Sequence, residues 1–127
     1  MRHIALKVRD LAQSKQFYQD MFGMDVVWEP DPKNAYLSSG CDNLALHEVP
    51  ENFLNSAEER QLDHLGFLVE SIERVAELEE DFRAKGVKIV HPFKIHRDGS
   101  ASFYCADPDG VVIQMLYEPN LSRQNIC

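Results

Sequence analysis

Residues 3–8, His-Ile-Ala-Leu-Lys-Val, alternate between two faces: Ile4, Leu6 and Val8 on one, His3, Ala5 and Lys7 on the other. Period two over six residues predicts a half-buried strand. The period then changes. Ser14, Phe17, Tyr18, Met21 and Phe22 fall on one face of a helix. Asp10 is placed to cap it, with Gln13 three residues on as in a capping box. Gly23 suits the left-handed position just past the last turn. Short strands are expected near Val26–Trp28 and Tyr36–Ser38, and a further alternating strand over Leu44–Val49.

The same order then repeats. Residues 64–69, His-Leu-Gly-Phe-Leu-Val, restore the apolar face with Leu65, Phe67 and Val69, and His64 stands where His3 stood. Ser71 caps a helical stripe of Ile72, Val75, Leu78 and Phe82, and Gly86 ends it. Strands are expected over Val87–Val90, Ser102–Ala106 and Val111–Leu116, with Asp107-Pro108-Asp109-Gly110 as a type I turn between the last two. The chain therefore reads as one α+β domain over 1–127 made of two tandem βαβββ modules, 1–50 and 63–119, joined by a polar linker 51–62. One helix can cover only one face of a four-stranded sheet. The uncovered faces carry small or polar residues (His3, Ala5, Lys7; His64, Gly66, Leu68), a poor core. Mixed sheets curling around a shared cavity, with the histidines pointing into it, satisfy that pattern.

Composition excludes several classes. The formal net charge is −8, which argues against nucleic acid and against anionic membranes as partners. The longest apolar runs are too short to span a bilayer. Residues 1–20 lack the apolar stretch of a secretion signal. Three scattered cysteines, Cys41, Cys105 and Cys127, are expected to be reduced thiols in a cytoplasmic protein. Acidic residues concentrate in the linker and second helix, so the cavity-facing set is expected to be neutral to basic.

The stretches "RHIALKVRDLAQSKQFYQDMFGM", "LDHLGFLVESIERVAELEEDFRAKGV" and "SFYCADPDGVVIQMLYEP" resemble the vicinal oxygen chelate superfamily, which includes glyoxalase I, fosfomycin-resistance, bleomycin-resistance and extradiol-dioxygenase proteins. The resemblance covers about residues 2–119. It implies the paired βαβββ fold, a small-molecule substrate, homodimerisation, and a divalent metal (Ni, Zn, Mn, Co or Fe) held at up to four positions. Two of these fall on His3 and His64. The third, a Glu in the family, is Gln114 here. The fourth falls on Ala45, with His47 two residues on and about 7 Å further along the same strand face. Two imidazoles and an amide leave a divalent ion both of its charges, which weakens its hold and raises its Lewis acidity.

The resemblance also implies substrate contacts. Lys94 and Ser102-Phe103-Tyr104 are similar to the phosphonate-binding residues of the fosfomycin-resistance branch. With Arg97 and His47, the residues Lys94, Ser102 and Tyr104 form the expected substrate-binding set. Arg123 corresponds loosely to an anion-binding arginine of that branch. Three functions are open: a metal-dependent lyase, isomerase or transferase that polarises a small oxygen-rich substrate; a metal-free binding or antibiotic-resistance protein; and an iron dioxygenase, which Gln114 disfavours because its facial triad wants a carboxylate.

Overall fold

A computed structural model describes residues 1–54 and 62–122. The chain divides into two compact units, with the boundary inside the undescribed stretch 55–61. The first runs β1 (His3–Val8), α1 (Leu11–Phe22), β2 (Asp25–Asp31), β3 (Asn34–Ser38) and β4 (Asn43–Glu48). The second runs β5 (Leu65–Leu68), α2 (Ile72–Ala84), β6 (Ile89–Ile95), β7 (Ala101–Ala106) and β8 (Val112–Tyr117). Each forms a four-stranded mixed sheet, ordered β1-β4-β3-β2 and β5-β8-β7-β6. The first strand of each lies parallel to the last, and the other pairings are antiparallel. The expected α+β architecture of two βαβββ modules is present.

Caps and alternation act as the sequence predicts. Asp10 accepts from the Gln13 N–H at 3.0 Å and Ser71 from the Arg74 N–H at 3.1 Å. Gly23 closes α1 at φ 61°, where a side chain would be strained. Helix α1 packs on β2–β4 and α2 on β6–β8. The core of the first unit contains the buried Leu6, Val8, Tyr18, Leu37 and Leu46; that of the second contains the buried Val75, Phe82, Phe103, Ile113 and Met115. Phe82 and Phe103 meet edge to face, their centroids 5.5 Å apart. Asp107 is a turn former, as expected: its buried carboxylate accepts from the N–H groups of Asp109 and Val111 at 2.9 and 2.8 Å.

Two expectations need correction. The strand expected over Val87–Val90 is Ile89–Ile95, and the one over Val26–Trp28 extends over Asp25–Asp31. Both contain a proline and both are bulged. Proline inside a strand marks an edge or a bulge, and β2 and β6 are edge strands. The second correction concerns the thiols. Cys41 is disulfide-bonded rather than reduced, whereas Cys105 is a free, buried thiol. Of the linker, Glu51–Phe53 forms one 3-10 turn, and 55–61 lie outside the described residues, as does Arg123. No helix among the described residues is long and apolar enough to cross a membrane.

Burial, with Asp107 nearby, raises the Cys105 thiol from 9.0 to about 12. In the unfolded chain the thiol ionises near its ordinary value, so the unfolded state binds fewer protons above it. The raised value therefore contributes stability that is complete below pH 9 and lost as pH rises from 9 towards 12. Urea midpoints measured over pH 8–11 should fall more steeply in the wild type than in Cys105→Ala.

Candidate functional site

The face of each sheet turned away from its helix is built in rows, because residues in register share a face. In the second sheet one row is Gly66, Gln114, Tyr104, His91, and the next is Leu68, Leu116, Ser102, Lys94. The corresponding rows of the first sheet are Ala5, Ala45, Tyr36, Trp28 and Lys7, His47, Asn34, Asp31. The repeat extends to the bulges. Register slips between Val26 and Trp28 and between Trp28 and Asp31 in β2 recur between Ile89 and His91 and between His91 and Lys94 in β6. Tyr36 and Tyr104 are thus equivalent, as are Ala45 and Gln114.

Tyr104 is the centre of the second sheet's helix-free face. Its ring is met edge-on by His64 and by His91, each at a centroid distance of 5.3 Å. Asp63, His64, His91, Tyr104 and Val112 line a cleft of about 250 Å³. Beside it, His91, Lys94, His96, Ser102 and Tyr104 line one of about 380 Å³ together with Pro92 and Phe93. Ser102 is buried and its hydroxyl lies 3.1 Å from His96 Nε2. Of the residues expected to bind substrate, Lys94, Ser102 and Tyr104 therefore share one cleft. Arg97 does not line it; it borders a neighbouring cleft with Lys94, His96 and Asp98. His47 lies on the first sheet, between Lys7 and Asn34 in register.

The bulge decides who lines the cleft. His91 and Lys94 are three residues apart, so plain alternation would put them on opposite faces. The slip places His91 opposite Tyr104 and Lys94 opposite Ser102, on one face. The N–H of Phe93, inside the slip, donates to the Glu79 carboxylate of α2, which also pairs with Arg83 at 3.0 Å. Alternation alone could not have found His91. His96 was not among the expected site residues; it opens the hairpin, its N–H donating to Ser100 O at 2.8 Å. The cavity-facing set was also expected to carry no acid, but Asp63 borders the His64 cleft.

The model of the Glyoxalase/Bleomycin resistance protein/Dioxygenase superfamily matches residues 1–115. The chain belongs to that superfamily. A superfamily relative, the uncharacterized protein YqjT of Bacillus subtilis, is 30% identical over 126 residues, covering 91% of this chain and 97% of that protein. Lactoylglutathione lyase GLX1 of Arabidopsis thaliana is 29% identical over 122 residues, covering 90% of this chain but 42% of the plant protein. The chain thus spans under half the length of that enzyme. Among solved structures, a lactoylglutathione lyase from Agrobacterium tumefaciens superposes with a TM-score of 0.76 at 22% identity, covering 95% of each chain. A glyoxalase-related enzyme from Fulvimarina pelagi gives 0.75 at 26%, covering 94% of this chain and 88% of that one.

Within this superfamily the metal question is one of donors. His3 Nδ1 lies 2.7 Å from Asn43 Oδ1 and His64 Nδ1 2.6 Å from Asp63 Oδ2. Each ring is oriented through Nδ1, as ligating imidazoles are. The remaining two positions are Ala45, which offers no donor, and Gln114, which offers no charge. Among the described residues no three His, Cys, Asp or Glu gather as a metal site. The residues do not fit a four-ligand, carboxylate-containing site. Gly66 keeps space beside Gln114: a Cβ there would stand 3.1 Å from the Gln114 carbonyl.

Glu79→Ala removes the acceptor that holds the Phe93 N–H. It should destabilise the protein by about 1–3 kcal/mol in urea titrations. It should also move the amide resonances of His91 and Lys94, with Glu79→Gln intermediate.

Proposed function

We propose that this superfamily member is an enzyme acting on a small, oxygen-rich, anionic substrate held on the helix-free face of the second sheet. The observation that supports this best is the makeup of the larger cleft. Lys94, His96, Ser102 and Tyr104 converge on a volume of about 380 Å³, within the range of small-molecule sites, and among the described residues no carboxylate lines it. Lys94 supplies a cationic side chain. The Ser102 hydroxyl and the His96 ring supply directed hydrogen bonds to an oxyanion. Tyr104 offers a phenol to an adjacent oxygen, with the Gln114 amide next to it in register. Such a group of donors stabilises negative charge that develops on oxygen when a neighbouring carbon loses a proton. That chemistry suits an isomerase or a lyase, the latter being the class that the plant relative's name gives. A cytoplasmic, homodimeric protein is part of the same proposal.

A second reading keeps the metal. His64, whose ring is oriented through Nδ1 by Asp63, and Gln114 both belong to the second unit and would offer an imidazole and an amide to a weakly held divalent ion. Metal analysis after reconstitution with zinc, nickel, cobalt or manganese checks this: stoichiometric metal that is lost in His64→Ala supports it. A third, a non-catalytic binding protein, would take up ligand without turning it over.

Inorganic phosphate tests the anion site itself. At ten times its Kd it should stabilise the protein by roughly 1.4 kcal/mol, a rise of about 5 °C in Tm. Lys94→Ala should abolish the rise and Arg97→Ala should leave most of it. An unchanged rise in Lys94→Ala would remove the reading.

A further inference from the structure

Arg97 stands outside the cleft beside Tyr104, but next to it. It borders a hollow of about 450 Å³ with Lys94, Ile95, His96 and Asp98. Lys94 and His96 line both spaces. The two share a wall, so a molecule held at Lys94 in the first lies beside the second. The hairpin between β6 and β7 sets this up. Strand β6 ends at Ile95, and the turn is closed by the His96 N–H on Ser100 O at 2.8 Å and the Gly99 N–H on His96 O at 3.0 Å. Arg97 follows Lys94 by three residues, so their Cα atoms stand at most about 11 Å apart. Both side chains are long and flexible enough to meet one ligand.

The charges of this hollow are uncompensated. Acidic residues outnumber basic ones by 21 to 13, and Lys15, Arg74 and Arg83 each pair with one. Among the described residues Lys94 and Arg97 pair with none. The carboxylate that borders the hollow, Asp98, is turned to Ser100: it accepts from the Ser100 N–H at 2.9 Å and from its hydroxyl at 2.7 Å. Neighbouring cations without a counter-charge repel each other, and both attract an oxyanion. Ile95 adds an apolar part. It borders the hollow and is 57% exposed, so it offers hydrocarbon surface to the carbon chain of a ligand.

We propose that Arg97 forms a second anion subsite, and that the substrate is a short-chain molecule with an oxyanion at each end. Lys94 and Ser102 hold one end, Arg97 holds the other, and Ile95 meets the carbons between. The guanidinium is a planar fork of N–H donors, which matches a carboxylate at the far end. Arg97 makes and breaks no bond. It selects two-ended substrates over one-ended ones that carry the same first anion. This rests on the reading that the cleft beside Tyr104 holds an anionic substrate.

Paired probes test it. Propylphosphonate carries one anionic end and 3-phosphonopropionate carries two, on carbon chains of equal length. Titration calorimetry should show the wild type binding the second about tenfold more tightly than the first. Arg97→Ala should bring that ratio close to one and leave the affinity for propylphosphonate largely unchanged, and Arg97→Lys should keep part of the ratio. Lys85→Ala, at the end of α2, removes an equal charge elsewhere and should leave the ratio intact. Equal binding of the two probes by the wild type overturns the proposal, as does an undiminished ratio in Arg97→Ala or an equal loss in Lys85→Ala. In each of those cases, propylphosphonate binding that Lys94→Ala weakens shows that the first anion site still stands. Binding of neither probe overturns both.

Discussion

Each sheet has four strands and one helix to cover them, and the rest of the molecule follows from that shortage. A helix laid on β2–β4 or β6–β8 buries one face and leaves the other without a partner element of its own. Burying an apolar face is what stabilises a sheet. The residues of the helix-free faces are accordingly mixed: Trp28, Leu68 and Leu116 stand among small or polar ones, and the polar ones carry the chemistry. The parallel pairing of first strand with last sets their order. It brings Ala5 beside Ala45 and Gly66 beside Gln114, so the middle of each face meets a residue with little or no side chain.

On this common frame the two modules have diverged position by position. The bulges, the prolines in β2 and β6 and the central tyrosines are shared. Tyr36 stacks on Trp28, whereas Tyr104 is met edge-on by two imidazoles. Asp31 occupies the place that Lys94 holds in the other sheet. Hydrogen bonds from the Lys33 N–H and the Asn34 amide hold the Asp31 carboxyl below its ordinary value. Equal backbones therefore present opposite charges at equivalent sites, an acceptor-rich face in one module and a cationic cleft in the other.

Much of this was legible in the chain. Period-two alternation located β1, β4 and β5, and the 3.6-residue stripes with Asp10 and Ser71 located the helices, because burial on one side imposes those periods directly. The repeat of His3 at His64 exposed the modular plan. What escaped were features that break a period. Strand β6 was placed too early because Pro92 interrupts its alternation, and His91 went unnoticed for the same reason. Arg97 was grouped with Lys94 by nearness in sequence, but the turn closed by Gly99 carries it to a neighbouring cleft. The row of Asp31, Asn34 and His47 was beyond reach as well. It depends on cross-strand register, and nothing local in the sequence states which strands are neighbours.

The slip in β6 has one more consequence. A strand without a bulge ties the composition of its two faces together: deleting one residue exchanges inside for outside along its whole length. In β6 the irregular stretch at Pro92 and Phe93 absorbs such a change, since the register on either side is already decoupled. The edge position means that only one neighbouring strand has to tolerate it. A one-residue insertion or deletion there would replace the residues facing Tyr104 and Ser102 without disturbing the core under α2. The bulge is thus a place where this scaffold can acquire a new ligand preference in a single evolutionary step.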